Sequence, residues 1–579
     1  LLVNDKETVI KKYERTGKYV AQLVTGIYGI NDLQKYYKRL LEKLKNKEIN
    51  PSVDDITSNM KILYPRLHQK YFINYTFEQI NKKSKNFIWG AVPRSGKSYM
   101  IGGLISKYKP KYVLLFLGAI TETKEQFIND LFLKYDDFID YEIYDLQTKK
   151  KYNEGKEKKI VLYSQEWARL RIKDEIPEDI TNILKDENKL IFFDEIHQGS
   201  GGEKQGDILN EFVFKMPYKA FIMVTATFAK PYLRYMNKSD IPIKIVNWSY
   251  ENIQYMKKIK DNEDVEYILD KIKVEDDGLL KSKIFKKLID EYIEYGGTYK
   301  ELSDDYSIYP NLVVINIDKN ISTENKLWYN NNLDIDGIFK PLMKNKHDKG
   351  PIKSLLNYIF TDIYRNILYK QGIRVGADIH TQLWFLPTVL KNDKCEEGKP
   401  FAYMCKHIVE SMMDMKEFRD HFCVIILHKV GFDKTKIDFI SSKEVKWNDA
   451  SVTNTNKYGC VSTICSEHKM GVKNCILAQE ACAKEHGKSV IILTGKMIRL
   501  GISLPCVDVA LHFDPISSVD TIYQSMFRVL TERIGKYKGI FIDMNHERNV
   551  NFMYDLYNYQ NQGKVKKSID KQMNDFNDF

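Results

Sequence analysis

The sequence predicts an α/β fold: two parallel-sheet domains, a helical N-terminal extension and a large insertion between the domains. Three observations carry this. The 579 residues are too many for one compact core, so two or three domains are expected. Short apolar runs alternate with helix-periodic stretches from about 61 to 235 and again from about 376 to 545. These runs are continuous rather than alternating, the pattern of parallel strands covered on both faces.

Residues 1–60 read as basic amphipathic helices, with Leu33, Tyr37, Leu40, Leu41 and Leu44 on one face and solvated charge on the other. In the first domain, 61–235, strands are expected at 87–89, 112–117, 160–163, 190–193 and 220–224. Residues 236–375 are less regular and heavily charged. They hold one clear strand, 312–317, and long helical stretches such as 281–295, and read as an insertion or linker domain. The second domain, 376–545, has expected strands at 383–386, 423–427, 490–493 and 507–511, and helices at 404–418 and 474–486. Residues 433–472 interrupt it and look loop-rich. The segment 546–579 is a polar C-terminal tail, loosely held after about 560. No repeat appears at solenoid periods.

Composition narrows the class. A hydrophobic content of 43% with 12% aromatics describes a globular chain, not a disordered one. A net charge of +11 suits a polyanionic partner. No apolar run is long enough to cross a membrane, and the N-terminus shows no signal-peptide pattern. A start at Leu1 rather than Met is expected of a fragment or a processed chain. All eight cysteines lie beyond residue 390 with no disulfide framework, which fits an intracellular, reducing compartment. Cys460, Cys465, His468 and Cys475 are close together, but their spacing matches no zinc-ligand pattern, so buried thiols are expected. The abundance of Lys, Asn, Ile and Tyr suggests an AT-rich genome.

Two motifs carry chemistry. Gly90-Ala91-Val92-Pro93-Arg94-Ser95-Gly96-Lys97-Ser98 lies between an expected strand and the helical pattern Met100, Ile101, Leu104, Ile105. Strand, tight turn, Gly-Lys-Ser, helix is the layout of a phosphate-binding loop. Backbone N–H groups from Arg94 to Ser98 face the phosphates, Lys97 reaches the β/γ oxygens, and Ser98 coordinates Mg²⁺. Ala91 and Arg94 stand where the usual form has glycine. The second motif is Asp194-Glu195-Ile196-His197, closing an apolar strand. Two acids at a buried strand end are costly unless they bind a cation or accept hydrogen bonds. Asp194 is placed to hold Mg²⁺ and Glu195 to orient or deprotonate the attacking water.

Together these motifs resemble the superfamily 2 helicases and translocases, over roughly residues 65–545. The resemblance implies two RecA-like domains with ATP between them and a DNA or RNA partner held by its backbone. Pro65-Arg66-Leu67-His68-Gln69 looks like the segment in which a glutamine, here Gln69, contacts adenine. Val224-Thr225-Ala226-Thr227 matches the motif whose hydroxyls, on Thr225 and Thr227, couple hydrolysis to domain movement, with His197 beside it. Thr494-Gly495-Lys496 through Gly501-Ile502-Ser503 looks like motif V: Thr494 on nucleic-acid phosphate, Gly501 near the nucleotide. Gln524-Ser525-Met526-Phe527-Arg528 resembles motif VI, with Gln524 at the nucleotide and Arg528 facing the γ-phosphate. Phe527 replaces the family's glycine there, and Thr531 its second arginine, so Arg533 is the substitute candidate for an arginine finger. Thr121, Ser164 and Gln165, after the second and third expected strands, would lie on the nucleic-acid path.

No base-reading element is visible, so affinity should track the backbone and fall with salt. The large insertion, the Arg94-bearing loop and the Ile502–Pro505 run are closest to restriction-enzyme motors and to helicases of large DNA viruses. Protein partners in a transcription, replication or restriction complex are expected. Two other readings stay open: a motor subunit of a restriction system, and a weakly catalytic scaffold in a viral transcription or virion complex.

Overall fold

The computed structural model describes residues 61–117, 124–164, 178–194, 216–226, 242–317, 327–329, 332–343, 349–388, 399–428, 448–449, 460–465, 472–495, 504–514, 519–533 and 535–545. They fall into two units divided between Ser307 and Ile308.

The first unit starts with helix α1 (Leu67–Asn81), followed by β1 (Asn86–Ala91), α2 (Lys97–Tyr108) and β2 (Tyr112–Leu117). Next come β3 (Tyr141–Asp145), β4 (Lys150–Tyr152), β5 (Lys158–Ser164), α3 (Glu178–Lys185), β6 (Lys189–Asp194), β7 (Ala220–Thr225) and β8 (Ile243–Trp248). Helices α4 (Tyr250–Met256), α5 (Asn262–Lys273), α6 (Gly278–Glu294) and α7 (Tyr299–Ser307) complete it. The eight strands form one sheet in the order β4-β3-β5-β2-β6-β7-β1-β8, parallel except for the β3–β4 hairpin. Strands β1, β6 and β7 are buried along their whole length. Their unbroken apolar runs are therefore covered on both faces, as the sequence predicts.

The second unit contains β9 (Asn311–Asn316), a two-stranded ribbon of β10 (Trp328–Tyr329) and β11 (Asn332–Leu333), α8 (Ile335–Met343) and α9 (Gly350–Tyr358). After these lie β12 (Thr381–Phe385), α10 (Lys399–Asp414), α11 (Lys416–His421), β13 (Phe422–His428), β14 (Asn448–Asp449) and β15 (Cys460–Cys465). It ends with α12 (Val472–Glu485), β16 (Ser489–Thr494), β17 (Val507–His512), α13 (Val519–Met526) and β18 (Lys538–Asp543). Its main sheet is parallel throughout, in the order β14-β15-β13-β16-β12-β17-β18-β9. One apolar cluster runs from the helices around Leu355 and Ile363 through Trp384, Leu493 and Leu511.

Three sequence expectations are refined by the structure. Within the stretch 236–375, β8 adds to the first sheet beside β1, and β9 adds to the second beside β18. Polar interruptions such as Lys244 and Asn247 in β8 disguised it, because an edge strand is covered less completely than a central one. Within 433–472, read as loop, β14 and β15 extend the second sheet. Cys423 on β13 is disulfide-bonded, so thiols throughout is not the case. Cys405, Cys475 and Cys506 are buried thiols as expected.

Candidate functional site

Parallel strands deliver their C-terminal ends to one rim of a sheet, where α/β proteins build ligand sites. In the first unit, Gly90 of β1 is in register with Thr225 of β7, and Val224 of β7 with Asp194 of β6. The phosphate loop, Thr225 and Asp194 therefore stand on three adjacent strand ends. At about 4.8 Å per strand, Asp194 lies about 10 Å from the loop's entry.

The loop is held in shape by its backbone. Val92 N–H donates to Trp248 O at 3.0 Å, and Ser95 N–H closes a turn onto Val92 O at 3.2 Å. Arg94 and Gly96 are both left-handed, with φ +72° and +76°. A glycine is favoured at such positions because it has no Cβ to clash. This explains why the usual loop has glycine where this chain has Arg94: the backbone kept the glycine conformation while the side chain changed. Gly96 caps α2, placing Lys97 and Ser98 in the first turn, at the positive end of the helix dipole.

Helix α1 clamps the loop from behind. Gln69 Nε2 donates to Ser95 O at 2.9 Å, while Gln69 Oε1 accepts Arg66 N–H at 2.8 Å. A Cβ built on Gly96 would lie 2.4 Å from Gln69 Nε2, so the loop also needs a bare glycine for this contact. Gln69, predicted to meet adenine, thus has both ends of its amide on the protein backbone, bracing the loop.

His68 completes the clamp, and sequence reasoning missed it. Its ring is fully buried and lies 5.4 Å from the Trp248 ring, nearly parallel. Nε2 is 2.9 Å from Ser95 O, Nδ1 is 2.9 Å from Tyr306 Oη, and the His68 backbone N–H donates to Tyr306 Oη at 3.1 Å. One proton arrangement satisfies every partner: Nε2–H donates to Ser95, and the Tyr306 O–H donates to Nδ1. Burial keeps the ring neutral, its pKa pushed down to about 3. The one available signal was His68 preceding Gln69; Tyr306, 238 residues away, left none.

The residues present fit a nucleotide phosphate and its metal. The donor set is oxygen and nitrogen only, the backbone bares a glycine at the helix start, and the buried Ser95 Oγ has no hydrogen-bond partner of its own.

In the second unit, Thr494 ends β16, and its carbonyl accepts Leu386 N–H at 2.8 Å. Gln524 lies on α13, and Arg528 on the following 3₁₀ turn; both are buried. Arg533 is engaged within its own unit. Its guanidinium donates to Asp508 Oδ1 at 2.8 Å and to Cys506 O at 3.4 Å. Asp508 is at the N-terminal end of β17, where Val507 pairs with Thr381, and Thr381 pairs with Val490 at the start of β16. Arg533 therefore braces the sheet end opposite Thr494. Glu195, His197, Thr121, Gln165, Thr227 and Gly501 lie outside the described residues, as do His468 and the segments 1–60 and 546–579; Ser164 closes β5. Among the described residues no cluster of metal-ligating side chains occurs.

Residues 62–230 match the family described as Type III restriction enzyme, res subunit. Several solved structures are similar. One is the ATP-dependent Type ISP restriction-modification enzyme LlaBIII bound to DNA, at 14% identity and a TM-score of 0.44, over 84% of this chain and 28% of that one. Another is S. cerevisiae Dbp5 bound to RNA and ADP BeF3, at 11% identity and a TM-score of 0.38, over 86% of this chain and 91% of that one. A third is a fragment of a putative HsdR subunit of a type I restriction enzyme from Vibrio vulnificus YJ016, at 12% identity and a TM-score of 0.38, over 84% of this chain and 65% of that one. This chain spans less than a third of the length of the first. No curated protein matches it. The family match over residues 62–230 and the two parallel-dominated sheets support a superfamily 2 helicase-like fold. None of these likenesses bears on the expected viral relatives.

Proposed function

We propose that this chain is an ATP hydrolase that moves along, or unwinds, a nucleic acid. The observation that supports it most is the convergence of a left-handed Gly96, Lys97 and Ser98 with Asp194 and Thr225 on adjacent strand ends. Backbone N–H groups of the loop and the start of α2 bind the phosphates, and Lys97 neutralises the β/γ oxygens. Ser98 and Asp194 are the residues that would hold Mg²⁺, which when bound neutralises charge on the transferring phosphoryl group. Glu195 orients the attacking water and takes its proton. His68 and Gln69 keep Ser95 O, and with it the loop, in the binding conformation before ligand arrives, which lowers the ordering cost of binding. Arg528 keeps the role its motif suggests, charge stabilisation at the γ-phosphate. Nucleic acid is gripped by its backbone, consistent with the +11 charge.

The test is ATP hydrolysis with and without single-stranded and duplex DNA or RNA, alongside Lys97→Ala, Glu195→Gln and Arg528→Ala. Equal hydrolysis by wild type and Glu195→Gln, or a rate that no nucleic acid changes, would sink the motor reading. Strand displacement is scored separately, since translocation does not require it. The matched restriction family favours a second reading, a motor subunit whose nuclease lies elsewhere. Co-purification with a nuclease or methyltransferase would distinguish it.

A further inference from the structure

The rim of the first sheet carries a cationic turn that the proposed activity leaves unused. Strands β2, β5 and β3 are neighbours and parallel, so Leu117, Ser164 and Asp145 end on one side of the sheet. From β2 to β3 that rim runs about 10 Å, the length of about three stacked nucleotides. Under the proposed function, on which this inference rests, a nucleic-acid backbone passes over the ends of β2 and β5. The next strand end along the same line is the β3–β4 turn.

Asp145 builds that turn. Its carboxylate accepts Gln147 N–H at 3.1 Å and Thr148 O–H at 2.6 Å, and pairs with Lys124 Nζ at 2.8 Å. Burial alone would raise its pKa, but Lys124 and Thr148 hold it below the usual carboxylate range. Glu142 on the same strand is also engaged, with Lys159 Nζ at 3.3 Å and the Gly155 N–H at 3.0 Å. Both acids of β3 are thus paired with lysines outside the hairpin, not with Lys149 or Lys150 of the turn. Residues 147–159 carry six lysines against two glutamates. Lys149 and Lys150 are exposed, and Lys149 is left-handed at φ +58°. Lys151 lies 4.7 Å over the ring of Tyr144, its cross-strand partner, and Lys150 lies 4.8 Å over Tyr152. The Tyr144 ring is buried in the core, so it anchors Lys151 rather than offering a stacking face, and the exposed charge of the turn is that of Lys149 and Lys150.

We propose that the β3–β4 turn extends the nucleic-acid track beyond the motif-bearing strand ends, with Lys149 and Lys150 contacting the phosphates of a passing strand. Lysines on an edge strand also resist sheet-to-sheet pairing, and the experiment separates the two roles. The full chain and a Lys149→Asn/Lys150→Glu variant are titrated against labelled oligo(dT) and oligo(U) over a salt series. Asparagine is used at position 149 because it tolerates the left-handed backbone. The expected result is about tenfold weaker binding of the strand, with a log K against log salt slope shallower by about 1.4, as for two lost single-strand phosphate contacts. Affinity for a fluorescent ATP analogue stays at the wild-type value. The oligo(dT) and oligo(U) arms show which backbone the turn prefers. Unchanged strand affinity and slope overturn the proposal. So does a variant whose one defect is self-association, which would leave edge protection as the lysines' role. A wild-type chain that binds neither oligonucleotide refutes the nucleic-acid part of the proposed function, and this inference with it.

Discussion

Replacing Tyr306 with phenylalanine removes one oxygen and keeps the ring. The structure assigns that oxygen two buried bonds, one from the His68 backbone N–H at 3.1 Å and one to Nδ1 at 2.9 Å. Losing each bond costs about 1 kcal/mol net, and a buried donor left unsatisfied adds about 1–3 kcal/mol. The Tyr306→Phe chain should therefore lose about 3–5 kcal/mol of stability in its first unit. The second consequence concerns the ligand. Without its partner at Nδ1 the imidazole is free to reorient, and Ser95 O then keeps Gln69 alone as donor. Nucleotide affinity should fall about threefold to tenfold, about 0.7–1.4 kcal/mol. Denaturant unfolding gives the first quantity and titration with a fluorescent ATP analogue the second. His68→Gln should recover part of the affinity, since an amide N–H can serve Ser95 O, whereas His68→Ala should not. A Tyr306→Phe chain within about 0.5 kcal/mol of wild type, with unchanged affinity, would refute the clamp.

Four further outcomes are expected. Gly96→Ala strains a left-handed backbone and drives a Cβ into Gln69; a loss of about 1–3 kcal/mol and weaker nucleotide binding should appear in unfolding and titration experiments. Arg94→Gly should be close to neutral in stability, because relief of about 1 kcal/mol of strain is offset by unfolded-chain entropy, while Arg94→Ala keeps the strain. Arg533→Ala leaves Asp508 with the Thr381 N–H at 3.2 Å but without its guanidinium, and should cost about 1–3 kcal/mol in the second unit while leaving kcat of the folded protein near wild type; a collapse of kcat would favour a finger role. Asp137 accepts Leu63 N–H at 2.8 Å and Ser106 O–H at 2.7 Å, and burial raises its pKa to about 7. Raised above its unfolded value, the group contributes stability that is full below pH about 4 and lost as pH rises through about 7, at up to about 1.4 kcal/mol per unit. Asp137→Asn should flatten that part of the stability–pH curve.

Most of the central strands announce themselves, because each is an unbroken apolar run between turn residues; β3 and β18, buried but short and flanked by charge, do not. Phe87, Ile191 and Ile222 are legible for that reason, and so is the loop between β1 and α2. The edge strands β4 and β8 are not, whereas the edge strand β9 is apolar enough to be read. Lys150 in β4 faces water and Lys244 in β8 an ion pair, so the first segment shows no strand pattern and the second reads as part of a charged linker. Arg533 shows a second limit. Motif register places a residue along the chain, but the end of the sheet it reaches depends on the length of the turn that follows α13. His68 shows a third. Its partners Ser95, Trp248 and Tyr306 are brought together only by the closing of the sheet and the helices after β8.

The placement of β9 bears on how this chain is made. Every strand of the first sheet is translated by Trp248, so that sheet can close while synthesis continues. Strand β9 cannot follow, for its neighbour is β18, and Asn311 pairs with Lys538 more than two hundred residues later. Until β18 leaves the ribosome, Leu312-Val313-Val314-Ile315 has no ladder partner, and such a run, uncharged and strongly β-prone, is an aggregation hazard. Pairings so distant in sequence also form slowly. A chain cut anywhere between β9 and β18 should be insoluble although its first unit is complete, and expression fragments of this protein are better ended at Ser307 than within the second unit.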